Sequence, residues 1–180
     1  MKTTLFSCFP APILILVIAI GFMVMPQTAS AETQQQADTA RTNAISKRDI
    51  ALVDENQVGI NLTIVVNDDN WDTLATQAQG NAHLTADEKA YCITLANQCQ
   101  SLWNDAQTKQ IAGDTSFANG DTAIVIGDNY YSSPNYYAAC MQYNSGSNCF
   151  QAANGAYYTV AYNYDLIHIK LNAPHLYVHL

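Results

Sequence analysis

Of the five cysteines in this sequence, Cys8 stands at the head of the N-terminal apolar run, and the other four, Cys92, Cys99, Cys140 and Cys149, have the widest chemical repertoire. Thiols can bridge, bind a metal or exchange redox equivalents, and their spacing separates these uses. No C-x-x-C pair occurs and no histidine lies beside them, which disfavours zinc and a redox dithiol. The even count in an exported chain favours disulfides. Cys92 and Cys99 lie in a stretch of helical period, where seven residues rise by about 10.5 Å. A disulfide needs Cα atoms within about 7 Å, so these two cannot bond each other. Each is therefore expected to reach Cys140 or Cys149. Two pairings remain open, and each bond would contribute about 3–4 kcal/mol.

The other reactive groups form weaker patterns. Asp68, Asn70 and Asp72 match the opening of a calcium loop, but Thr73 and Gln79 stand where glycine and the bidentate glutamate belong. Helix capping explains the cluster more simply. His175 and His179 are spaced for a metal but sit in a short tail after Pro174; no metal or cofactor is expected. There is no nucleophile elbow and no Ser/His/Asp order, and beyond Arg48 no arginine that could stabilise an oxyanion. Carboxylates are plentiful, but no pair stands out as a glycosidase acid and base. Asn61-Leu62-Thr63 is a glycosylation sequon. Of eleven tyrosines, Tyr91 alone precedes residue 130. Tyr130, Tyr131, Tyr136, Tyr137 and Tyr143 fall in a Ser/Asn-rich stretch, the composition of recognition loops, and are the candidate binding surface.

These residues must be carried by ordered elements. Val58, Ile60, Leu62, Ile64 and Val66 alternate with polar or small residues, a half-buried strand. A short helix follows from Asp69 or Asn70. Thr85 and Glu88 form a capping box, and Cys92, Leu95, Ala96, Cys99, Leu102, Trp103 and Ala106 recur at helical spacing up to a stop at Gly113. Turn-like residues lead to a strand over 122–127, an irregular region to Gly155, and strands over 158–162 and 167–171. The sum predicts a small α+β fold: a two-layer sandwich of helices on a mostly antiparallel sheet, stapled by two disulfides.

The ends of the chain carry addresses. Met1 and Lys2, an apolar run from Phe9 to Met25 and an A-x-A exit at Ala29 and Ala31 have the layout of a signal peptide over residues 1–31. Residues 32–48 are polar, are expected to be a disordered pro-region or linker, and end in the dibasic pair Lys47-Arg48, a processing signal. Residues 49–180 would then form one secreted domain with no membrane anchor left after leader removal. The net charge is −8, and beyond Arg48 the only basic residues are Lys89, Lys109 and Lys170. Such a surface repels phosphate backbones, which excludes nucleic acid as a partner.

This plan of leader, dibasic pro-region and small acidic disulfide domain resembles that of secreted fungal effectors and killer toxins. The resemblance is one of organisation and rests on no residue signature. It implies an extracellular protein that acts by binding a protein or glycan target outside the producing cell, more a binder than an enzyme. The alternatives are a small glycan-active hydrolase and a carbohydrate-binding module.

Overall fold

The computed structural model describes residues 33–68 and 71–172. Four helices account for their regular structure: α1 (Gln34–Asp68), α2 (Trp71–Gly80), α3 (Ala86–Ser132) and α4 (Tyr136–Leu171). No strand occurs among the described residues, so the expected α+β sandwich is overturned. Residues 34–48, expected to be unstructured, form the first turns of α1.

A seven-residue period explains the difference. In α1 the most deeply buried positions are Ala37, Ala44, Ala51, Val58 and Val65, none more than 2% exposed. In α3 they include Cys92, Cys99, Ala106, Gly113, Gly120 and Gly127. In α4, Tyr143, Phe150, Tyr157 and Tyr164 form one row, and Ala139, Gly146, Ala153, Val160 and Ile167 a second row offset by three or four residues. A sustained repeat of seven keeps one seam of each helix turned toward its neighbours.

Stretches that alternate locally obey this longer period. Within 58–66, Val58 and Val65 are buried while Ile60 and Val66 stand more than half exposed, which a strand face would not produce. β-branched residues are tolerated in a helix when tertiary burial outweighs their propensity. In 122–127, Ala123 and Gly127 are buried while Val125 faces solvent. The expected strands over 158–162 and 167–171 lie within α4, and the irregular region before them is divided among the end of α3, the turn at 133–135 and the first half of α4.

The signals at helix starts hold. Thr85 Oγ1 accepts from the Glu88 N–H and Glu88 Oε2 accepts from the Thr85 N–H, the reciprocal capping box that starts α3. The short helix expected after residue 70 is α2. The α3–α4 hairpin turns at Ser133, Pro134 and Asn135. Pro134 lacks the N–H a continuing helix needs, and Asn135 caps α4 by accepting from the Ala138 N–H.

Gly113 does not end α3, which runs on to Ser132 and spans 47 residues in all, about 70 Å. The three glycines lie beneath rings of α4: Gly113 against Tyr157, Gly120 against Phe150, Gly127 against Tyr143. A Cβ at these sites would stand 2.7, 2.6 and 2.5 Å from the respective ring. Glycine here makes room for an aromatic ring laid against the partner backbone. Midway, a Cβ on Gly146 would lie 3.2 Å from the Gly120 carbonyl oxygen, so α3 and α4 approach closely there.

Helix α4 packs closely along both α1 and α3, whereas α1 and α3 meet chiefly through long side chains. The short α2 covers one end of α3, where Trp71, Trp103 and Tyr164 stack with centroids 5.5 and 5.4 Å apart.

This register decides the cysteines. None of the four forms a disulfide, and the expected two staples are overturned. Extending the glycine–ring pairing, Cys99 lies level with Leu171, roughly twenty residues of helix or about 30 Å from Cys149. Cys92 is farther still. No rotation of a side chain bridges such a gap. Cys92 and Cys99 instead fill core positions, and burial raises the Cys92 thiol above its ordinary value, which suppresses its reactivity.

Candidate functional site

Each seam glycine is followed by an aspartate, and these aspartates serve the rings opposite. Tyr143 Oη donates to Asp128 Oδ1 at 2.7 Å, and Tyr157 Oη donates to Asp114 Oδ1 at 2.9 Å. The middle ring is Phe150, which has no hydroxyl, and Asp121 accepts from Arg48 Nε at 2.7 Å instead. One repeat beyond Gly113 the same position holds Gln107, whose Nε2 donates to Tyr164 Oη at 2.7 Å. Arg41, seven residues before Arg48, forks onto both oxygens of Asp128 at 2.8 and 3.3 Å. Arg48 also lies 5.6 Å over the Phe117 ring, which packs edge-on against Phe150.

The electrostatics follow from this ladder. The Arg41 hydrogen bond, aided by Tyr143 and opposed by burial, holds Asp128 below the usual carboxylate range, and Arg41 is raised in turn. Burial first, then the neighbouring carboxylate, raises the Tyr143 and Tyr157 phenols far above their ordinary value. Burial likewise raises Tyr164. No buried side-chain polar atom among the described residues lacks a partner. These groups are engaged with one another and hold the bundle in register.

The expected tyrosine surface is divided by the fold. Tyr143 is in the core, fully buried. Tyr130, Tyr131 and Tyr136 are half-buried over the Ala37–Ala44 end of α1. Tyr131 and Tyr136 pack edge-to-face at 5.4 Å, and Gln34 donates to Tyr131 Oη at 2.7 Å. Tyr137 alone of the five is largely exposed, with Met141 beside it one turn on.

Two tyrosines outside that set carry a better-formed site. Tyr158 and Tyr162, one turn apart on α4, are 66% and 52% exposed. They line an open groove of about 450 Å³ between α1 and α4, together with Asp54, Gln57, Asn61, Ala161 and Asp165. Paired bonds fix the walls: Asn154 Nδ2 donates to Asp54 Oδ2 at 2.6 Å and Asn61 Nδ2 donates to the Ala161 carbonyl at 2.9 Å. Gln57 Nε2 donates to Asn61 Oδ1 at 2.7 Å. No lysine or arginine lines the groove. Reading 158–162 as a strand hid this pair; the four-residue step from Tyr158 to Tyr162 is the helical signal that reveals it.

The remaining sequence-derived sites fall as follows. Asn61 lies on α1 facing α4, with its amide nitrogen engaged, in place of the expected strand face. Lys47 and Arg48 lie inside α1, Lys47 exposed and Arg48 tied to Asp121. Ala31, the rest of the leader, Asn70 and the His175/His179 pair lie outside the described residues. No helix among the described residues is long and apolar enough to cross a membrane, and no group of three metal-ligating side chains occurs among them. No family model, curated protein or solved structure matches the chain.

Proposed function

We propose that this protein acts by binding, outside the cell that makes it, through the tyrosine-lined groove between α1 and α4. The observation that supports this reading is the division of the tyrosines. Tyr143, Tyr157 and Tyr164 lie on the buried seven-residue row with their hydroxyls satisfied. Tyr158 and Tyr162 are needed by no core, yet stand together over an open groove with two carboxylates. Exposed aromatic rings on a rigid helix offer large contact area at little entropy cost. The leader and acidic charge agree with an extracellular role.

The test is a titration of purified protein with glycans, basic peptides and small organic cations, followed by NMR of the tyrosine ring resonances. Ligands are expected to shift Tyr158 and Tyr162 selectively, and the paired Tyr158→Ala, Tyr162→Ala variant is expected to lose at least tenfold in affinity with an unchanged thermal midpoint. Binding that leaves both rings unshifted, or turnover of a glycan that survives the paired variant, would remove this site from consideration.

A further inference from the structure

The groove offers a ligand two carboxylates, two aromatic faces and no basic side chain. The amide nitrogens of Gln57 and Asn61 each spend one N–H, on Asn61 Oδ1 and the Ala161 carbonyl, and keep one. Also open to a ligand are a second oxygen on Asp54, the Asp165 carboxylate, the Gln57 carbonyl and the tyrosine rings and hydroxyls. An anionic ligand would meet two carboxylates and no lysine or arginine. A neutral sugar would leave both carboxylates without a counter-charge. A cation that only donates is matched by both carboxylates, the Gln57 carbonyl and the two rings.

The spacing narrows the class. Helices α1 and α4 run parallel, with Asp54 beside Asn154 and Asn61 beside Ala161. On that register Asp54 and Asp165 stand about 16 Å apart along the groove. Tyr158 and Tyr162 lie between them, one turn apart. The order along the groove is thus carboxylate, ring, ring, carboxylate. We propose that the groove binds a linear aliphatic polyamine of spermine length, with a terminal ammonium at each carboxylate and its methylene chain laid over the two tyrosines. This rests on the groove being the binding surface. The chain's net charge of −8 would draw such a cation toward it.

Lysine side chains of a partner present the same alkylammonium group, and the experiment separates the two sources. Spermine, spermidine, putrescine and a lysine-rich peptide are titrated into the full secreted chain by calorimetry. Spermine is expected to bind one to one, and putrescine, too short to span both carboxylates, at least tenfold more weakly. The paired Tyr158→Ala, Tyr162→Ala variant leaves charge unchanged and is expected to weaken spermine about tenfold, as is Asp165→Asn. Asp87→Asn removes an equal charge from α3 and is expected to leave affinity within twofold. Equal losses in Asp87→Asn and Asp165→Asn would overturn the proposal in favour of diffuse charge attraction. Peptide binding without spermine binding would overturn it in favour of a protein partner. If spermine fails while another ligand shifts Tyr158 and Tyr162, the ligand class falls and the surface stands; if no ligand shifts them, both fall.

Discussion

The two ends of this bundle are held together by different means. Around Gly113, Gly120 and Gly127, α3 presents bare backbone, and α4 lays a ring on each glycine. Hydroxyl–carboxylate bonds and the Arg41 and Arg48 pairs then fix the register. At the other end Leu74, Ala78, Leu84, Leu95, Val65 and Ile167 form an aliphatic core, roofed by α2 and the Trp71–Trp103–Tyr164 stack. The first end gains contact by removing side chains from one helix. The second gains it by adding a fourth helix. A close approach admits few alternatives because each ring fits one glycine, whereas an aliphatic core tolerates repacking.

The contrast is broken most severely at Phe150, fully buried between Gly120 and Phe117. Phe150→Ala should cost about 3–5 kcal/mol in urea unfolding, while Leu74→Ala, under α2, should cost about 2–3 kcal/mol. Equal, small losses would mean that the seam is no more tightly fitted than the capped end.

Glycine sharpens the comparison, because one substitution should change sign with position. Gly120→Ala and Gly127→Ala force a Cβ into a ring and should destabilise by about 1–3 kcal/mol despite the better helix propensity of alanine. Nothing lies within 4 Å of a Cβ at Gly59 or Gly155, both within helices. There alanine should stabilise by about 1 kcal/mol. Thermal midpoints that move the same way at all four sites would refute the ring-on-glycine account.

Alkali should unfold the chain through the seam. Tyr143 and Tyr157 are held above their ordinary value by burial and by Asp128 and Asp114, whereas unfolded tyrosines ionise at about pH 10. The stability these phenols contribute is therefore present below pH 10 and lost as pH rises above it. Tyrosinate absorbance should show a late phase, from the seam phenols, coincident with loss of helical circular dichroism. A single early phase would place the seam hydroxyls in solvent.

Smaller effects belong to the ion pairs. The Arg41–Asp128 side chains are each 44% exposed, so Arg41→Ala should cost no more than about 1 kcal/mol, and less in high salt. Because Asp128 is lowered in the fold, its contribution is present above the unfolded value of about 3.9 and fades as pH falls below it. Urea midpoints of the wild type and the Arg41 variant should converge below that pH. The smallest effect is expected from dithiothreitol, which should leave the thermal midpoint unchanged, with all four cysteines alkylated after denaturation without reduction. A lowered midpoint would restore the disulfides.

Some of this was legible in residues a few positions apart. Thr85 and Glu88 announced the start of α3, the step from Cys92 to Ala106 gave its buried face, and a short helix after residue 70 was found where α2 lies. Other signals were ambiguous by nature. Val58, Ile60, Leu62, Ile64 and Val66 alternate, yet Val58 and Val65 also continue a repeat of seven that begins at Ala37. A window of nine residues cannot separate the two periods; a window of thirty can. The Tyr158–Tyr162 groove was hidden for the same reason.

The sequence by itself determined the acidic charge, the local helix start at Thr85 and the inability of Cys92 to bond Cys99, because each depends on neighbours along the chain. Only the tertiary structure decided that Gly113 continues a helix, that Tyr143 is core while Tyr158 is surface, and that Cys99 and Cys149 lie far apart. Those outcomes depend on the register between α3 and α4, which is set when rings settle on glycines along the whole length of the hairpin. The local spacing of residues carries no such information, because the free energy that fixes the register comes from contacts between segments distant in sequence.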